Sequence, residues 1–155
     1  MANPNLSVGD RVPAFTADSV TGVPVSDESL LGTKYVLYFY PKDDTPNCTT
    51  EACDFRDNIG RLEGAGYRVF GISPDSLASH EKFRTKYDLP FELLSDEDHA
   101  VAEAFSVWRE KTNYGKTYVG LVRSTFLVDE DGVLTHVYDN VRAKGHVERV
   151  LRDLE

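Results

Sequence analysis

Three strand-like stretches stand out along the chain: Tyr35 to Tyr40 (YVLYFY), an uninterrupted apolar and aromatic run, Tyr67 to Ser73 (YRVFGIS) and Ser124 to Glu130 (STFLVDE). The first is closed by Pro41, as expected of a buried strand ending at its carboxyl side. Gly132 to Asp139 (GVLTHVYD) follows the third run across an Asp-Gly turn, the arrangement of a hairpin. Four core strands are therefore expected. Between and after them the apolar residues switch to helical spacing, over Pro46 to Glu63, about Ser76 to Tyr87, about Asp98 to Phe105 and about Gly145 to Leu154, where Val147, Val150, Leu151 and Leu154 share a face. Gly9, Pro13, Gly22 and Pro24 punctuate short apolar pieces in the first 25 residues, which read as an amino-terminal hairpin added to the core. The segment VWREKTNYGKTYVG, Val107 to Gly120, reads as a long loop before Arg123, with Trp108 and its tyrosines bordering a site or packing partly into the core.

Strand, helix, strand and helix followed by a hairpin and a closing helix imply an α/β protein whose mixed central sheet is flanked by helices, in a thioredoxin-like order. No repeat, linker or low-complexity tract divides the chain, so residues 1–155 are expected to form a single domain. A chain of this size buries roughly two thirds of the surface its unfolded form exposes.

Composition narrows the function. The chain is 41% hydrophobic, 11% aromatic and 28% charged, ordinary for a globular protein. Its net charge of -9 argues against nucleic acid or an anionic membrane as partner, since both are gripped by clustered Lys and Arg. The start, MANPNLSVGDRVPAF, has neither a basic n-region nor an apolar h-region, and a cytoplasmic location is expected. In a reducing compartment two cysteines make no disulfide scaffold, and a close pair is more often catalytic, redox-sensing or metal-binding than structural.

That pair is Cys48 and Cys53, within YPKDDTPNCTTEACDFRD. Thr45 suits a helix N-cap and Pro46 the first helical position, which puts Cys48 at the third. There the unpaired backbone N–H groups and the positive end of the helix dipole favour thiolate over thiol. At about 100° per residue, Ala52, Phe55, Ile59 and Leu62 fall within about 40° of Cys48, on the stripe that meets the sheet, whereas Cys53 lies about 140° away among Thr49, Asp57 and Gly60. Five residues along a regular helix separate two Cα atoms by about 8.5 Å. A disulfide tolerates no more than about 7 Å, so pairing requires the helix to unwind locally.

Other chemistries fit less well. Two unrelated buried thiols are the ordinary reading of free cysteines, but cap, proline and spacing weigh against it here. Zinc needs four N or S ligands, and His80, His99, His136 and His146 show no ligand spacing and read as surface or satisfied core residues. Asp43, Asp44 and the DEDG turn do not match the spacing of a calcium loop and read as solvated. Four residues between the cysteines exclude a Cys-x-x-Cys motif.

Pro41, Thr45 and Cys48 match the peroxiredoxin signature of proline, three residues, threonine or serine, two residues, cysteine. The surrounding stretch resembles the bacterioferritin comigratory protein, or peroxiredoxin Q, subgroup nearly end to end, including GISPDS, FELLSDED and VRSTFLVDEDG. The resemblance implies a thiol-dependent peroxidase for hydrogen peroxide and organic hydroperoxides that needs no metal, flavin or haem. Cys48 matches the peroxidatic position, which becomes a sulfenic acid. Cys53 matches the resolving position, which closes an intramolecular disulfide recycled by thioredoxin or a glutaredoxin-like dithiol; a monomer is the expected state. Arg123 matches an active-site arginine that lowers the thiolate pKa and offers fork-shaped donors to the peroxide, although its spacing alone suggests a surface residue. Thr45 is implied to cap the helix and bond sulfur or peroxide, Pro41 to exclude water, and Glu51 to orient the arginine. Asn47 departs from the pattern, standing where the subgroup commonly has glycine. The same cysteines would also serve a non-enzymatic redox switch, from which repeated turnover distinguishes a peroxidase.

Overall fold

A computed structural model describes residues 3–154. The four expected strands form: β3 (Lys34–Phe39), β4 (Tyr67–Ser73), β8 (Ser124–Val128) and β9 (Leu134–Tyr138). They lie within a seven-stranded sheet that also takes in β1 (Thr16–Ser19), β2 (Val25–Ser26) and β5 (Glu92–Ser95), in the order β2-β1-β5-β4-β3-β8-β9. The β3/β4 and β4/β5 pairs are parallel and the rest antiparallel, so the sheet is mixed. The amino-terminal hairpin is β1 with β2, and it joins the sheet where β1 pairs with β5. β5 escaped the sequence pattern because its four residues carry only Leu93 and Leu94 as an apolar signal.

Alternation along β3 shows how two cores arise from one strand. Tyr35, Leu37 and Phe39 enter one cluster with Phe15, Phe70, Ile72, Phe105 and Phe126. Val36, Tyr38 and Tyr40 enter the other with Cys48, Ala52, Phe55, Leu62, Phe83 and Val147. Both faces are therefore covered. The second cluster is roofed by α1 (Pro46–Asp57), α2 (Ile59–Gly64), α3 (Leu77–Tyr87) and α5 (His146–Asp153), while α4 (Ala100–Ala104) lies on the first. Among the described residues no helix is long and apolar enough to cross a membrane.

Two expectations need correction. The helix anticipated over Pro46 to Glu63 is broken at Asn58, whose backbone sits at φ -116, ψ 12. Its side-chain amide donates to the Asp54 carbonyl at 2.8 Å, taking the acceptor that its own N–H would use in a continuing helix; that N–H turns to Phe55 O. The loop anticipated before Arg123 is instead a hairpin of β6 (Trp108–Asn113) and β7 (Lys116–Leu121). Tyr114 and Gly115 both have positive φ and close it by a two-residue turn. Its described residues are largely exposed, with Leu121 alone among them buried, leaving little buried face to betray a strand. Trp108 packs partly on the core and stacks on His99 at 3.6 Å, whereas Tyr114 is 97% exposed.

Candidate active site

Sheet register brings the site together. Phe39 at the end of β3 pairs with Ser124 at the start of β8, so the turn at Pro41 and the residue before β8, Arg123, emerge side by side. From that turn the chain reaches Thr45, extended at φ -96, ψ 156, and enters α1 with Pro46 in its first turn. Thr49 N bonds the Thr45 carbonyl at 2.8 Å, closing the first turn around Cys48. The Thr45 hydroxyl makes no capping bond; it donates back to the Lys42 carbonyl at 2.9 Å. The side chain expected to cap the helix thus ties down the preceding turn by donating to the Lys42 carbonyl.

Cys48, Ala52 and Phe55 on α1 and Leu62 on α2 are all at most 1% exposed, and Ile59 is half-buried against them. This is the stripe the wheel describes, and Cys48 is its first residue. Cys53 is half-buried on another side of α1 and both thiols are free. Burial raises the Cys53 thiol above its ordinary range, against the opposing charge of Arg56.

Arg123 reaches across from β8. Its Nη2 donates to Cys48 Sγ at 3.2 Å and its Nη1 to Glu51 Oε1 at 2.5 Å. Glu51 lies less than one turn beyond Cys48 and is fully buried. Burial pushes its carboxyl up to about 7, and the Arg123 guanidinium pulls the other way. Its second oxygen has no partner among the described residues. Arg123 keeps only 12% side-chain exposure, so the surface arginine suggested by spacing is in fact lodged between sulfur and carboxylate. Pro41 is half-buried where the strand ends, and Asn47 is exposed beside Cys48.

Asp43, expected to be solvated, is instead buried, accepting from Tyr40 OH and Ser79 Oγ at 2.6 and 2.8 Å and facing His80 Nδ1 at 2.7 Å. No local pattern reveals this, since the α3 partners lie 36 and 37 residues further on. His80 and His146 are satisfied core residues: His80 Nε2 meets the Leu94 carbonyl, and His146 Nε2 meets Thr125 Oγ1, each at 2.8 Å.

Comparison with known proteins shows the family of the chain. The AhpC/TSA family matches residues 8–137. The chain is 48% identical over 147 residues to a putative peroxiredoxin bcp of Coxiella burnetii, covering 95% of this chain and 97% of that one. It is 45% identical to peroxiredoxin Bcp of Bacillus subtilis over 150 residues, 97% of this chain and 96% of the relative. A solved structure of Xanthomonas campestris peroxiredoxin Q superposes with a TM-score of 0.85 at 38% identity, covering 90% of this chain and 89% of that one. A further structure of the bacterioferritin comigratory protein of that organism, described in connection with alkyl peroxide reduction activity, matches equally well. Likeness of this extent, running almost the whole length of both chains, shows that the protein belongs to the AhpC/TSA family and is one of its peroxiredoxins.

Proposed function

We propose that the protein is a dithiol-recycled peroxidase in which Cys48 reduces hydrogen peroxide and organic hydroperoxides and Cys53 resolves the product. The observation that carries this reading is the 3.2 Å bond from Arg123 Nη2 to Cys48 Sγ at the first turn of α1. A fixed cation and the start of a helix flank the atom on which negative charge must rest before attack and beside which charge develops on the departing oxygen.

In the first step the Cys48 thiolate attacks one peroxide oxygen. The O–O bond breaks, a proton joins the departing oxygen to give water or an alcohol, and sulfur is oxidised by two electrons to a sulfenic acid. In the second, Cys53 sulfur attacks Cys48 sulfur, expelling water and forming the disulfide. Thioredoxin or a glutaredoxin-like dithiol then returns both thiols by exchange. The second step demands movement: both cysteines lie within α1, and a regular helix holds them about 8.5 Å apart between Cα atoms, too far to bridge. Glu51 holds the arginine in line by its own bond to Nη1. Pro41 and Thr45 shape the turn that delivers Cys48.

The deciding experiment follows peroxide loss with thioredoxin, its reductase and NADPH. Wild type is expected to consume many equivalents and Cys48→Ser none. Consumption that stops after one equivalent would replace the peroxidase with a redox switch.

A further inference from the structure

Asp43 and Asp44 precede the N-cap of α1, and both are tied to a different helix. At the first turn of α3, Ser79 Oγ donates to Asp43 Oδ2 and His80 Nδ1 faces the same oxygen. At its last turn, Lys86 Nζ and Tyr87 OH donate to Asp44 at 2.7 and 2.8 Å. The Asp43 amide also donates to Asp75 Oδ2 at 2.7 Å, and Asp75 is itself held by Ser73 and Ser95 hydroxyls. Asp44 adopts φ +56, a left-handed conformation that a non-glycine residue keeps only when its surroundings impose it.

His80 and Asp43 form the buried centre of this bracing, with side-chain exposures of 0% and 4%. A carbonyl only accepts, so the His80 Nε2 that faces Leu94 O carries a hydrogen. Nδ1 then meets a carboxylate oxygen at 2.7 Å, a distance that two lone pairs cannot share without a cation between them. A metal does not fit: ligand atoms at about 2.1 Å from a tetrahedral ion stand about 3.4 Å apart. The bridging particle is a proton.

We propose that His80 and Asp43 are positioning residues for the peroxide reaction: their proton-bridged contact clamps the turn ahead of α1 to α3, so that the end of the helix bearing Cys48 keeps its aim at Arg123. Neither residue touches sulfur. The clamp lies outside α1, so it also persists when α1 unwinds. This rests on the reading of Cys48 as the peroxide-reactive sulfur.

Two substitutions of one residue separate aim from simple stability. The amide of Asn overlies the Nδ1 edge of a histidine, whereas that of Gln reaches the Nε2 edge; each variant therefore keeps one of the two His80 contacts. In a Cys53→Ser background, Cys48 oxidation by hydrogen peroxide is timed by quench-flow alkylation and mass spectrometry, beside thermal stability and amide exchange over residues 42–47. His80→Asn is expected to react within about threefold of its parent, while His80→Gln slows by about tenfold or more and exchanges faster in that segment alone. Ser79→Ala, a milder change, is expected to slow the reaction by about threefold. Equal rates for the two His80 variants would overturn the proposal, as would slowing in proportion to lost stability or an unaltered Ser79→Ala. If the parent itself fails to react, the reading of Cys48 falls, and the exchange pattern alone decides the clamp: faster exchange confined to residues 42–47 in His80→Gln supports it, and any other pattern rejects it.

Discussion

Arg123 and Cys48 meet across 75 residues of sequence, with Nη2 directed at Sγ from the residue before β8. Because the guanidinium divides its two terminal nitrogens between Cys48 and Glu51, replacing it should remove both charge and alignment. Arg123→Met is expected to lower the second-order rate with hydrogen peroxide by about 10²- to 10³-fold. Arg123→Lys should recover only part, since a point charge cannot span sulfur and carboxylate together. Single-turnover thiol loss reads both.

Two buried groups give opposite stability slopes. Glu51 is raised from an unfolded value near 4.5 to about 7, so the folded state holds more protons in that window. Its contribution is complete below the unfolded value and is lost as pH rises through about 7. His146 is depressed from 6.5 to about 4, chiefly by burial and secondarily by Arg149 and Arg123. Its contribution is present above 6.5 and is lost as pH falls through about 4. Each amounts to about 3 kcal/mol, and between pH 4.5 and 6.5 they largely cancel. Urea titrations across this range should find Glu51→Gln gaining stability with pH and His146→Gln losing it. Parallel curves for the two variants would contradict the assignment.

Gly71 sits in β4 where an added Cβ would lie 2.8 Å from the ring end of Tyr38 and 2.9 Å from Leu93 Cδ2. Tyr38 is fully buried and stacked on Phe55 at 4.6 Å, so it has nowhere to retreat. Gly71→Ala should cost about 1–3 kcal/mol, seen as a lower urea midpoint at unchanged slope. Full stability would mean that the Tyr38 ring and the Leu93 side chain can shift enough to admit the methyl.

Cys53→Ser should leave a trappable sulfenic acid on Cys48 after one equivalent of peroxide. An unmodified thiol after that treatment would refute the division of labour between the two cysteines.

How much of this the sequence carries depends on how local each cause is. The start of α1 and the burial of Cys48 with Ala52 and Phe55 follow from proline placement and a 3.6-residue period, all within a few turns. Arg123 is different: its environment is made by β3 pairing with β8, and only family likeness singles it out beforehand. Asp43 has neither advantage: Tyr40 is nearby, but Ser79 and His80 on α3 complete its surroundings, and a single sequence shows no reason for an aspartate beside a strand end to be dry. The β6/β7 hairpin eluded the hydrophobic pattern for the opposite reason, having little face to bury.

The proposed disulfide step requires α1 to open, and the interruption at Asn58 sets a boundary to that opening. Because the helical run is already severed there, unravelling that begins near Cys48 meets an end after Asp57 instead of travelling on. Leu62, seated beyond the gap, is fully buried in the interior, so in the proposed cycle an opening of α1 would leave that part of the core in place.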